Sequence, residues 1–125
     1  MTLNKTGKKI LVIDDEAIIR LSCERVLASE GHEVKIAGNG KEGISMLEKE
    51  PFDLVLLDMK MPDMDGFEVL KIIKERWAET MVIIITGYST VQMAVQTMKL
   101  GAHKFIEKPF TPDILTAAVS RAFKD

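Results

Sequence analysis

Strand-like apolar runs alternate with helix-like segments five times along this chain, and that alternation leaves few folds open. Parallel strands need a crossover, and a right-handed helical crossover packs back onto the sheet. Repetition of the unit builds a parallel sheet with helices on both faces. The runs also report their own places. Ile10–Ile13, Leu54–Leu57 and Met81–Ile85 are apolar throughout, as strands covered on both faces should be. Glu33-Val34-Lys35-Ile36 alternates polar with apolar, and Lys104-Phe105-Ile106-Glu107 carries charge, which suits edge strands that must resist pairing with other chains. The expected fold is α/β, a doubly wound (βα)5 sandwich with a five-stranded parallel sheet of order 2-1-3-4-5.

Helix signals sit between the strands. In the first helix Ile19, Cys23, Val26 and Leu27 share a face, and Gly31 stops it. The second runs from about Lys41 to Lys49, with Asn39 and Glu42 as its capping pair. The third follows Asp65 and carries Phe67, Leu70, Ile73 and Trp77. The fourth is expected after Ser89, with Gln92 completing a capping box, and ends near Gly101. Thr111-Pro112 opens the fifth, which buries part of Ile114, Leu115, Ala118, Val119 and Ala122.

A chain of 125 residues is the size of one domain. Residues 1–7 are expected to be a disordered lead-in and residues 8–125 the folded domain. A net charge of −2 gives no basic face for nucleic acid. One cysteine, Cys23, allows no internal disulfide and no thiolate zinc site, which favours a reducing cytoplasm. No run is long enough to span a membrane, and residues 1–9 lack the long apolar region that a signal peptide needs.

In open α/β sheets ligands bind beyond the carboxyl ends of the strands, where the winding reverses. In the expected order that point lies between the first and third strands. Asp14 and Asp15 follow the first, Asp58 ends the third, Thr86 ends the fourth and Lys108 follows the fifth. Converging carboxylates repel unless a cation joins them. All the candidate ligands are hard oxygens, which selects Mg²⁺, with Mn²⁺ as the alternative. A carboxylate beside such an ion can attack phosphorus. Asp58 is central in the sheet and is the chosen nucleophile, with Lys108 and Thr86 placed to pair with phosphoryl oxygens.

These residues carry a likeness. Asp14-Asp15-Glu16, Leu57-Asp58-Met59-Lys60-Met61-Pro62, Met64-Asp65-Gly66, Ile85-Thr86-Gly87, Gly101-Ala102 and Phe105-Ile106-Glu107-Lys108-Pro109 together resemble the receiver domain of two-component response regulators, in order and spacing, from about Lys9 to the end. The resemblance implies a flavodoxin-like fold and a cytoplasmic, phosphorylation-activated signalling switch. It implies that Asp58 accepts a phosphoryl group from a phosphohistidine on a sensor histidine kinase or phosphotransfer protein. Asp15, Asp58 and the backbone carbonyl of Lys60 would ligate Mg²⁺, with Asp14 acting through water. Lys108 would hold the phosphoryl group, and Thr86 would follow it inward. Phe105 would be the aromatic switch, lacking the hydroxyl of the tyrosine often found there. The Lys108–Pro109 bond would be cis. Lys60 and Tyr88 would flank the path of the hydrolytic water and set the lifetime of the phosphorylated state.

The face implied to change is made by the fourth helix, fifth strand and fifth helix, with Met93, Gln96, His103, Phe105 and Glu107 as candidate exposed residues. A downstream partner, an effector domain of the same protein or a second copy in a phosphorylation-dependent dimer would dock there. Ile18, Leu21 and Ser22 on the first helix are the candidate kinase contacts. The chain would catalyse only its own phosphorylation and dephosphorylation. The cognate kinase, the output, and whether the domain works alone or within a larger protein stay open.

Plainer readings stand beside these. Asp14 and Asp15 would serve equally well as helix caps, and Asp65 is read only as one. Cys23 is read as inert core, and His32 and His103 as lone histidines without a metal role. An aspartyl phosphatase of the haloacid dehalogenase type would need a second aspartate two residues after the nucleophile, where Lys60 stands. A receiver-like module working without phosphorylation would not need the full acidic set. A flavin-binding protein of the same sheet order would not place Asp14-Asp15-Glu16 where a phosphate must be cradled.

Overall fold

The computed structural model describes residues 7–87 and 90–124. The expected lead-in therefore falls almost wholly outside the described residues. The elements alternate without exception: β1 (Lys9–Ile13), α1 (Ala17–Ser29), β2 (Glu33–Ala37), α2 (Gly40–Lys49), β3 (Leu54–Asp58), α3 (Gly66–Arg76), β4 (Met81–Thr86), α4 (Val91–Lys99), β5 (Lys104–Glu107) and α5 (Pro112–Lys124). All pairings are parallel, in the order β2-β1-β3-β4-β5. The register sets Ile13 beside Leu57, Asp58 beside Ile85 and Thr86 beside Glu107. The residues that end β1, β3, β4 and β5 thus form one rim.

Alternation along the central strands divides the core in two. Leu11, Ile13, Val55, Leu57, Val82 and Ile84 pack with Leu47, Val69, Leu70 and Ile73 from α2 and α3. Ile10, Val12, Leu54, Leu56, Ile83 and Ile85 pack with Cys23 and Leu27 of α1 and with Leu115, Ala118, Val119 and Ala122 of α5. Full burial of each such large aliphatic side chain is worth about 1.5–3 kcal/mol. This double layer fixes the strands that carry the rim.

Local chemistry fixes the helix ends. Asn39 Oδ1 accepts from Glu42 N at 2.8 Å, and Asp65 Oδ1 accepts from Phe67 N at 2.9 Å. Thr111 Oγ1 accepts from Ile114 N at 3.2 Å. α1 ends at Gly31, whose φ of 95° puts it in the left-handed region where a side chain is disfavoured. α4 differs from expectation: its cap is Thr90, which accepts from Met93 N at 3.0 Å, and Ser89 lies outside the described residues. Thr90 offers the same hydroxyl one residue later, so the helix starts at Val91. Trp77 closes α3 under the Arg76 guanidinium, 4.4 Å above its ring, at the end of the sheet remote from Asp58. Among the described residues no helix is long and apolar enough to cross a membrane.

Gly66 is required by close approach. A Cβ there would lie 2.4 Å from Met59 Cα and 2.8 Å from Met59 O, both backbone atoms next to Asp58. Backbone cannot turn aside as a side chain can, so Gly66→Ala should lower stability by about 3 kcal/mol. Chemical denaturation measures this directly, and an unchanged midpoint would show that the loop has room.

Candidate functional site

Four chain segments deliver the site to the rim. Asp14 follows β1 directly; its N–H donates to Ala37 O at 3.1 Å, and its own carbonyl accepts from Arg20 Nη1 at 2.7 Å. Its side chain is fully buried. Oδ1 accepts from Glu16 N at 2.8 Å, so Asp14 forms a local turn and does not cap α1. Oδ2 lies 2.8 Å from Lys108 Nζ, yet it receives no well-directed hydrogen bond. Asp58, at the end of the central strand β3, is 3 % exposed. Its Oδ1 accepts from Lys60 N at 3.3 Å, and its Oδ2 stands 3.6 Å from Lys108 Nζ. Thr86 is buried at the end of β4, and its carbonyl accepts from Lys108 N at 2.8 Å, which ties the end of β5 to the rim. The Lys108–Pro109 bond is cis.

Burial dominates the electrostatics. It raises the Asp14 carboxyl above its usual range against the pull of Lys108. It pushes the Asp58 carboxyl up to about 6, with the negative charge of Asp14 adding to the rise. Burial alone would lower the Lys108 ammonium, but the carboxylates of Asp14 and Glu16 beside it hold it above the usual lysine range. The Lys108 ammonium therefore faces three carboxylates, of Asp14, Glu16 and Asp58, within 3.6 Å. Cys23, by contrast, is buried with its thiol pushed up to about 12, as inert core requires.

These groups open into a cleft of about 670 Å³ lined by Asp15, Glu16, Ile19, Asp58, Lys60, Thr86, Gly87, Lys108 and Pro109. That is roomy enough for a small anionic group and a hydrated ion. Carboxylate oxygens of Asp14, Glu16 and Asp58 lie within 4.8 Å of one another. A poorly satisfied buried oxygen on Asp14 and a donor set of hard oxygens fit a small divalent cation such as Mg²⁺. Asp15 lines the same cleft with its side chain exposed and stands outside that tight group. Glu16 was given no role by sequence reasoning; only its place beside the acidic pair hinted at one.

The other sequence-selected residues are placed as follows. Lys60 lines the cleft and pairs with Asp65 across a short bridge. Tyr88 lies outside the described residues. Phe105 is half-buried and packs against the core on the α2–α3 side. Gln96 and Glu107 are exposed, while Met93 and His103 are half-buried. The large apolar side chains most open to solvent on α4 are Val91, Val95 and Met98, which sequence reasoning did not select. Ile18, Leu21 and Ser22 are exposed on α1.

Residues 10–120 match the family model for the response regulator receiver domain. The chain belongs to that family. In this chain the buried Asp58 at the end of β3 and Lys108 just after β5 stand at one cleft. The receiver domain is 40 % identical over 115 residues to sporulation initiation phosphotransferase F of Bacillus subtilis, covering 92 % of this chain and 93 % of that one. It is 38 % identical over 115 residues to an NtrX-like response regulator of Rickettsia bellii, covering 90 % of this chain but only 24 % of that protein. The chain thus spans about a quarter of the length of such relatives. A CheY-like receiver domain protein of Methanospirillum hungatei superposes with a TM-score of 0.91 at 34 % identity, covering 95 % of each chain. The chain is thus a receiver domain of the kind found in two-component response regulators.

Proposed function

We propose that Asp58 is the phosphoacceptor of this receiver domain. The observation that carries this is a nearly buried carboxylate, central in the sheet, which opens into a cleft with an ammonium 3.6 Å away. An Asp58 oxygen attacks the phosphorus of a kinase or phosphotransfer-protein phosphohistidine. The new P–O bond forms as the P–N bond breaks, and the imidazole nitrogen leaves. Lys108 pairs with a phosphoryl oxygen, and Thr86 donates to another. Asp15, Asp58 and the Lys60 carbonyl would hold Mg²⁺, with Asp14 acting through water. When bound, such an ion would shield the phosphoryl charge and relieve the crowded carboxylates.

Phosphorylation adds charge and strong acceptors beside Thr86. Movement of Thr86 toward them opens space for Phe105, a two-state element biased by a local change. The α4–β5–α5 face then presents a different surface to a downstream partner, an effector domain or a second copy. The α1 face, with Ile18, Leu21 and Ser22, receives the kinase. The domain works in the cytoplasm and catalyses only its own phosphorylation and dephosphorylation.

Incubation with acetyl phosphate and Mg²⁺ should add one phosphoryl group by mass, and chelation should prevent it. No gain under either condition would leave a binding module that works without phosphorylation. Lys60 and Tyr88 together set the lifetime of the product, because bulk and charge beside the acyl phosphate control access of water. Replacing both with alanine should change the decay rate severalfold, read by loss of the added mass over time. An unaltered rate removes them from that role.

A further inference from the structure

Lys108 has more carboxylate neighbours than it can serve equally. Its Nζ lies 2.7 Å from Glu16 Oε1, 2.8 Å from Asp14 Oδ2 and 3.6 Å from Asp58 Oδ2. The two short distances are ion pairs at hydrogen-bond range; the third is not. The partner left at arm's length is the proposed nucleophile. Glu16 comes from the open side, with its side chain 60 % exposed, while Asp14 and the lysine stem are held inside at 0 % and 11 %. It stands at the N-cap of α1 without using its side chain as a cap. Its backbone N–H and carbonyl already serve Asp14 Oδ1 and Arg20 N. The Glu16 carboxylate is thus not needed to start the helix, and its one described hydrogen bond goes to Lys108.

We propose that Glu16 is a positioning residue that draws the Lys108 ammonium outward and away from Asp58, keeping the Asp58 oxygen clear for the metal ion and the phosphoryl group. Without Glu16 the ammonium has only Asp14 and Asp58 to serve, both buried. It settles between them and neutralises the carboxylate that the cation must share. With Glu16 the ammonium stays in the cleft but toward its mouth, where an arriving phosphoryl oxygen can take it over. Phosphorylation is then a transfer of Lys108 from one anion to another, and no buried ion pair has to be broken without replacement. The inference rests on the reading of Asp58 and Mg²⁺ given above.

Mg²⁺ titration by calorimetry of the parent chain, Glu16→Gln, Lys108→Met and the double variant, at one pH, tests it. Lys108→Met should tighten Mg²⁺ binding, because the competing ammonium is gone. Glu16→Gln should weaken binding about fivefold in the parent, the scale of one partly exposed ion pair. In the Lys108→Met background the same change should alter affinity by less than twofold, because Glu16 then has nothing to position. A change of twofold or more in that background overturns the inference and makes Glu16 a direct ligand or a field on the ion. A change under twofold in the parent overturns it as well. A parent chain that binds no Mg²⁺ overturns the reading beneath it, a failure distinguishable from the other two. Thermal melts of all four proteins separate loss of affinity from loss of fold.

Discussion

Asp58→Asn should abolish phosphorylation by acetyl phosphate in Mg²⁺, with the rate falling at least about a hundredfold. The asparagine fills the same volume at the end of β3 and keeps the carbonyl that accepts from Lys60 N. It loses the negative oxygen that attacks phosphorus, and an amide oxygen is too weak a nucleophile to replace it. The other acids cannot stand in. Asp14 is fully buried, with one oxygen on Glu16 N and the other against Lys108. Asp15 and Glu16 are exposed on the wall of the cleft. Intact mass after incubation measures the result. Labelling of the variant at the parent rate would move the nucleophile to another residue and undo the assignment of Asp58.

The same substitution should stabilise the protein at neutral pH. Burial and the charge of Asp14 raise the Asp58 carboxyl from near 3.8 to about 6, so the folded state binds a proton more tightly than the unfolded chain. The sign follows from proton linkage. Where the folded state holds more protons, stability falls as pH rises. Below the unfolded value both states are protonated and the group has no effect. Between about 4 and 6 the folded state loses its advantage, and above 6 the cost is constant. Two units correspond to about 3 kcal/mol, from which the amide's own burial subtracts, leaving about 2 kcal/mol. Asp58→Asn should therefore raise Tm by about 8 °C at pH 7.5 without Mg²⁺. Near pH 3.5 the carboxyl is protonated in both states, only the amide's burial cost is left, and the variant should fall about 1 kcal/mol below the parent. Mg²⁺ should narrow the gap at pH 7.5, because it binds the parent's folded state and relieves the same crowding. A variant less stable than the parent at pH 7.5 would mean that Lys108 more than compensates the buried charge. Loss of function and gain of stability in one variant would mark the crevice as strained for its chemistry.

The strand order was legible because it depended on short-range patterns. Apolar runs at Ile10–Ile13, Leu54–Leu57 and Met81–Ile85 form β1, β3 and β4 and are buried but for the half-buried Met81, and the charged runs lie in the edge strands β2 and β5. Caps at Asn39, Asp65 and Thr111 were legible for the same reason, since each acts within three residues. The α4 cap was misplaced by one residue because Ser89 and Thr90 offer the same hydroxyl, and only the backbone path chooses between them. The apolar stripe of Val91, Val95 and Met98 was missed because a period of three to four residues shows that a helix has an apolar face, not which face the sheet covers. Phe105 proved half-buried at rest, since its strand is short and α4 lies over it.

What the sequence by itself determined is which groups meet. A residue that ends a strand in a parallel sheet is carried to the rim by the strand's own length, so Asp14, Asp58, Thr86 and Lys108 had to assemble once the order was known. What only the tertiary structure decided is how they share charge. Lys108 meets Glu16 across 92 positions of chain, and whether its ammonium rests on Glu16 at 2.7 Å or on Asp58 at 3.6 Å depends on placements finer than one ångström. Ion-pair energies in a buried crevice change steeply over that distance, and no local pattern of residues encodes it.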